Sequence, residues 1–172
     1  GKTSYVKDVI TAVSNKYHYA KINLVGHSMG NLQIANYINE NYNNKKLPQI
    51  NKVVSIAGHY DGYLGEEAGQ KAKIKNKETG QPDIYSDGFK KLLPLRKHYP
   101  KQIEVLNIYG NKKDGSNSDG SVSVASAQSY KYLINGRAKS YREVEIKGKN
   151  AQHSKLHENK EVDRLLIDFL WK

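Results

Sequence analysis

Cysteine is absent from this 172-residue chain, which excludes disulfides, thiolate chemistry and the usual zinc sites while leaving the redox compartment open. No apolar run approaches the ~20 residues that a membrane-spanning helix needs. The first ten residues carry neither the basic start nor the apolar stretch of a secretory signal, so no targeting segment is expected within the chain. Internal repeats and low-complexity tracts are missing as well. With 37% hydrophobic residues and 14 glycines, the composition is that of a single globular domain able to bury a core.

Acidic residues are the minority: 17 Asp and Glu stand against 28 Lys and Arg, a formal charge of +11. The basic residues form short scattered clusters at Lys45-Lys46, Lys71 to Lys77, Lys90-Lys91 and Lys112-Lys113. No basic stripe or recognisable binding motif accompanies them, so no nucleic-acid partner is expected and a solvated surface is the simplest reading. A positive surface would also attract anionic partners in a salt-sensitive way. A binding module that keeps the fold and holds an anionic envelope polymer or membrane surface is therefore the alternative function.

What is present is an alternation of apolar strands with amphipathic helices, the pattern of a mostly parallel sheet with helical crossovers. Val6, Val9, Ile10, Val13 and Tyr17 predict a helix from Thr3 or Ser4 to Tyr17. Strands are expected at Lys21 to Val25, Lys52 to Ala57, Gln102 to Tyr109 and Tyr141 to Lys147. Helices are expected from Asn31 to about Tyr42, from Val122 to Leu133 and from Glu161 to Trp171. The fold class is α/β, three layers in the order helix, sheet, helix.

Within this pattern Leu24-Val25-Gly26-His27-Ser28-Met29-Gly30-Asn31 sets a serine between two glycines, after a strand and before a helix. That is the layout of a nucleophile elbow, in which a strained turn lifts the serine hydroxyl clear of the sheet. Gly26 and Gly30 are expected to relieve side-chain collisions on either side of Ser28. Three of the four prolines fall in the long stretch Gly58 to Lys101, with Tyr60, Tyr63 and Leu64 near its start. Loops of that length in compact domains are usually functional or disordered, and this one is read as a lid or pocket wall. Tyr60, Tyr63 and Leu64, with His27 inside the elbow, are the candidate substrate-binding residues.

A serine hydroxyl needs a base to take its proton and a third group to orient that base. The loop after the Gln102 to Tyr109 strand offers Asp114 and Asp119; the loop after Tyr141 to Lys147 offers His153 and His157. Asp119 is preferred because it closes its loop just before Gly120 and the next helix, with Asp114 in reserve. His153 is preferred because it lies within the loop, whereas His157 stands beside the start of the last helix and is the reserve base. Asp114, Asn117 and Asp119 do not follow the spacing of a calcium loop, so no metal is expected.

The elbow, the stretch Asp114 to Ala127, and Gly148 to Asn159 running into Val162 to Trp171 together resemble the α/β-hydrolase superfamily. Within it they resemble a Firmicute family of unknown substrate often labelled cell-surface hydrolases. The resemblance extends over nearly the whole chain. It implies a triad of Ser28, Asp119 and His153, an esterase-like or lipase-like activity, and a secreted or cell-surface location; a small-molecule ester is the expected partner, and no cofactor is expected. In that family several strands and an oxyanion-hole loop precede the nucleophile strand, whereas here only one expected helix does. The edge formed by residues 21–25 is therefore expected to pair with a missing N-terminal segment or a partner strand, since natural proteins avoid bare sheet edges. Of the oxyanion hole, the backbone N–H of Met29 is the expected remaining donor.

Overall fold

Continuous runs of branched apolar residues, suited to strands covered on both faces, become the sheet in the computed structural model, which describes residues 21–171. The helix expected up to Tyr17 lies outside the described residues. Four strands, β1 (Lys21–His27), β2 (Gln49–Ile56), β5 (Glu104–Asn111) and β6 (Ser140–Lys147), pair in parallel in the order β1-β2-β5-β6. Helices α1 (Met29–Asn41), α5 (Val124–Gln128), α6 (Tyr130–Ile134) and α7 (Lys160–Trp171) lie in the connections or after the last strand. Among the described residues β1 is an outer strand, and Val25 on it is 48% exposed.

Alternation along the strands builds a core on each face. Val53 and Val105 point to one side, where Ile34 and Ile38 of α1 and Leu133 and Ile134 of α6 meet them. Val54, Ile56, Leu106 and Ile108 point to the other, beneath Val162, Leu165, Leu166 and Phe169 of α7. Asn159 starts α7 by accepting the Glu161 and Val162 N–H groups. Its last turn is held by Lys52, whose ammonium donates to the Phe169 carbonyl at 2.7 Å, where helix carbonyls lack internal partners.

One expected element changes. The helix expected from Val122 to Leu133 is two short helices, broken at Ser129, whose hydroxyl turns back to the Ser126 carbonyl at 2.6 Å and competes with the helical ladder. The stretch Gly58 to Lys101, read as a lid or pocket wall, has secondary structure of its own. It contains α2 (Glu67–Lys71), a small hairpin of β3 (Ile74–Asn76) and β4 (Gln81–Pro82), α3 (Asp87–Leu92) and α4 (Leu95–His98). Phe89, Leu92, Leu95 and Tyr99 are fully buried in the core beside α1. Only the start of the stretch reaches the C-terminal ends of the strands, where the elbow lies.

Candidate active site

The elbow forms at the junction of β1 and α1. Ser28 adopts φ 56° and ψ −121°, a sparsely populated conformation for a residue with a Cβ, and one that persists only when neighbours enforce it. Here they do: the Ser28 N–H donates to the Ile56 carbonyl at 2.9 Å. Asn31 ties the Ser28 and Ile56 carbonyls together through its side-chain amide, at 3.1 and 2.8 Å. Gly26 makes room for that brace, since a Cβ there would come within 2.5 Å of Asn31 Oδ1. Gly30 does not play the expected part: a Cβ on it meets nothing within 4 Å.

His153 and Asp119 are clasped to each other twice. The His153 N–H donates to the Asp119 carbonyl at 2.9 Å, and His153 Nδ1 lies 2.8 Å from Asp119 Oδ2. The other carboxylate oxygen of Asp119, itself 1% exposed, accepts the Ser121 and Val122 N–H groups. A carboxylate only accepts, so the proton between the two side chains sits on Nδ1 and leaves Nε2 as an acceptor. Nε2 lies 2.9 Å from Ser28 Oγ. Gly110, at the end of β5, lets these loops meet: a Cβ there would fall 2.2 Å from the Ala151 carbonyl and 3.0 Å from Asp119 Cβ. Nothing in its local sequence marks Gly110, because the clash it avoids is with a loop some forty positions away.

The reserve residues are elsewhere. Asp114 is solvent-exposed and folds onto its own loop, accepting from Ser116 N–H and hydroxyl, with Lys112 at 3.2 Å. Those hydrogen bonds, with the lysine charge behind them, lower its carboxyl to about 2. His157 lies 3.5 Å from Glu158 on the turn after His153 and is half-exposed. Its ring faces that of His27, which is 5.4 Å from it and 5.2 Å from His153. His27 Nε2 bonds the His153 carbonyl at 3.1 Å, and burial holds this imidazole below its ordinary range.

Of the candidate pocket residues, Tyr63 alone places a polar atom on Ser28: its hydroxyl is 3.2 Å from Ser28 Oγ. Leu64 is half-buried, and its N–H donates to the Ser121 carbonyl, fastening this strip to the Asp119 loop. Tyr60 is a correction. It is 2% exposed, bonded to the Ser55 hydroxyl at 2.6 Å and stacked on Tyr130, so it faces the core and cannot line a pocket. The left-handed turn at Gly62, φ 99°, separates the inward Tyr60 from the site-facing Tyr63. Met29 opens α1 beside Ser28 and is 42% exposed.

One residue passed over in the sequence belongs to this region. His59 is buried, stacks on Tyr63 with ring centroids 3.6 Å apart, and has no hydrogen-bond partner for Nδ1 among the described residues. Burial first, and then proximity to His153, lower its pKa to about 4, so it is neutral near pH 7. No group of His, Asp and Glu among the described residues is arranged to hold a metal ion.

Fold and site geometry together define an α/β protein with a serine elbow at the C-terminal ends of a parallel sheet. The family described as alpha/beta hydrolase of unknown function (DUF915) matches residues 1–172, and the chain belongs to it. Among solved structures it is similar to a Listeria innocua gene product, with TM-score 0.88 and 22% identity over 99% of this chain and 66% of that one. It is also similar to a "putative cell surface hydrolase" from Lactobacillus plantarum WCFS1, with TM-score 0.75 and 23% identity over 99% of this chain and 61% of that one. The chain thus spans less than two thirds of the length of either protein. No curated protein matches it.

Proposed function

We propose that this chain carries the catalytic machinery of a serine hydrolase that cleaves carboxylic esters through an acyl-enzyme. The observation that carries the reading is the unbroken run from Asp119 Oδ2 through the His153 ring to Ser28 Oγ, at 2.8 and 2.9 Å, ending on a serine held at positive φ. Strain of that kind persists where a side chain is being aimed.

In the proposed reaction His153 Nε2 takes the Ser28 proton as Oγ attacks the ester carbonyl, and the carbonyl electron pair moves onto oxygen. Asp119 keeps the ring oriented and stabilises the imidazolium. The Met29 N–H, next to the nucleophile, holds part of the oxyanion charge. His153 then passes its proton to the leaving alcohol, and water repeats the cycle on the acyl-enzyme. The aromatic wall of Tyr63 on His59 favours an acyl or aryl ester as substrate. The outer edge of β1 is assigned to pairing with a further strand, from a preceding segment or a partner.

A fluorophosphonate probe tests the reading. It should label the wild type and Asp114→Asn, and fail to label Ser28→Ala and His153→Ala. An inert Ser28, together with salt-dependent retention on an anionic polymer, would replace the enzyme with a binding module. Chromogenic esters of graded acyl length then define the pocket.

A further inference from the structure

We infer that the Tyr63 hydroxyl is a second oxyanion donor, supplied from the loop after the strand that follows the nucleophile strand. The inference rests on the serine-hydrolase reading and deepens it. Tyr63 lies in the loop that leaves β2, and its hydroxyl is 3.2 Å from Ser28 Oγ, the atom that forms the new bond. Ser28 has one proton, and that proton points to His153 Nε2 at 2.9 Å. The contact with Tyr63 must therefore be donated by the phenol and accepted by Oγ.

The consequence appears when Oγ reacts. Once bonded to the acyl carbon and stripped of its proton, Oγ is a poor acceptor, while the former carbonyl oxygen, one bond beyond that carbon, carries a full negative charge. The Tyr63 O–H turns from the first oxygen to the second without losing its proton. The electron pair on the oxyanion re-forms the carbonyl as the carbon–oxygen bond to the leaving group breaks, and the leaving oxygen departs with the proton that His153 received from Ser28. Tyr63 ends the step as it began. Such a donor contributes most when it is fixed in advance.

The loop is built to fix it. Asp61 N–H donates to the Ser126 hydroxyl, which donates in turn to the Gly62 carbonyl. Leu64 N–H donates to the Ser121 carbonyl, two residues past Asp119. Gly69 of α2 packs so closely beneath that a Cβ on it would be 2.1 Å from the Tyr63 carbonyl. Behind the phenol ring lies His59, stacked at 19° and buried. Nδ1 of His59 has no hydrogen-bond partner among the described residues, and an uncharged ring behind the phenol adds no repulsion to the imidazolium that forms on His153.

The test is Tyr63→Phe, which deletes the hydroxyl and keeps the ring on His59, assayed on a 4-nitrophenyl ester and on the ethyl ester of the same short acid. Fluorophosphonate labelling and melting temperature are measured alongside. The expected result is a kcat lower by about 10²- to 10³-fold on both esters, with KM and melting temperature little changed and Ser28 still labelled, at a lower rate. Unchanged kcat overturns the inference and leaves the serine-hydrolase reading intact. A loss confined to the ethyl ester also overturns it, by moving Tyr63 to the poor leaving group. Wild-type protein that neither labels nor turns over removes the reading beneath it. Should Tyr63→Phe melt far below wild type, its kcat is measured again at a temperature where its near-UV circular dichroism matches that of wild type: the same loss of about 10²- to 10³-fold is expected there, and recovery to near wild-type kcat makes the loss one of folding and overturns the inference.

Discussion

The two ends of the sheet are built differently. At the C-terminal ends of the strands, Ser28, Ala57, Lys113 and Asn117 all take positive φ, four of the five non-glycine residues that do so among those described. Close approaches accompany them, at Gly26 against Asn31 and at Gly110 against Ala151. The N-terminal ends hold a cleft of about 360 Å³ lined by Tyr37, Asn41, Tyr42, Leu47, Ile50 and Pro100. It is roomy, and its backbone is ordinary. Strained backbone is retained only where surrounding contacts enforce it, so the crowded end, rather than the open one, is where chemistry is to be sought.

The largest effects are expected within one loop of the crowded end. Asp119→Asn should lower kcat on a chromogenic ester by about 10⁴-fold by disturbing the His153 tautomer, while Asp114→Asn, five positions earlier and facing solvent, should leave it within a factor of about two. Equal losses would show that the loop, not the carboxylate, matters. Next comes crowding itself. Gly110→Ala drives a methyl group into the Ala151 carbonyl, and an ångström of displacement at His153 should cost about 10²-fold in turnover with a stability loss of about 1–3 kcal/mol. Gly30→Ala, with open space around it, should instead leave activity intact and gain up to ~1 kcal/mol. Kinetics and urea unfolding of the pair give both numbers.

A smaller effect concerns pH and two buried groups beside the site. His59, lowered from 6.5 to about 4, stabilises the fold above pH 6.5, and that contribution is lost as the pH falls through about 4. Asp61, raised to about 6 by burial despite its bond from the Ser86 N–H, behaves oppositely: its contribution is full below 3.8 and is lost as the pH rises through 6. Between pH 4 and 6 the two oppose each other. Asp61→Asn should steepen the loss of stability on acidification, and His59→Gln should flatten it, both read from urea midpoints. Parallel curves would show that neither group is linked to folding. The smallest effect is expected at the open end: Tyr42→Ala, which removes a ring stacked on His98 at 4.1 Å, should cost no more than ~1.5 kcal/mol and leave turnover unchanged.

Much of this was legible in the residues because it is local. Apolar runs and helical spacing located the four strands and the helices α1 and α7 to within a few positions. The glycines around Ser28 announced the elbow, although only Gly26 proves sterically necessary. The apolar pattern of Val122 to Leu133 runs on through Ser129, where the helix breaks because a hydroxyl competes with the backbone. The Gly58 to Lys101 stretch was legible only in part: Tyr63 near its start reaches Ser28, while its later apolar residues join the core. Its helices are too short to show a period, and the core layer formed by Phe89, Leu92 and Leu95 depends on packing against distant α1.

By itself, then, the order of residues determined the α/β alternation, the elbow and the two loops from which an acid and a base could come, since each depends on neighbours a few positions apart. Tertiary structure decided which members of those loops meet: Asp119 and His153 are 34 positions apart, and His153 and Ser28 are 125 apart. It also decided that Tyr63 and not Tyr60 reaches the serine, and that a bare glycine at 110 is what allows the loops to close. The physical reason is the same in each case. A side chain's direction at the end of a strand is set by contacts from distant segments, and no local pattern encodes a distance across the fold.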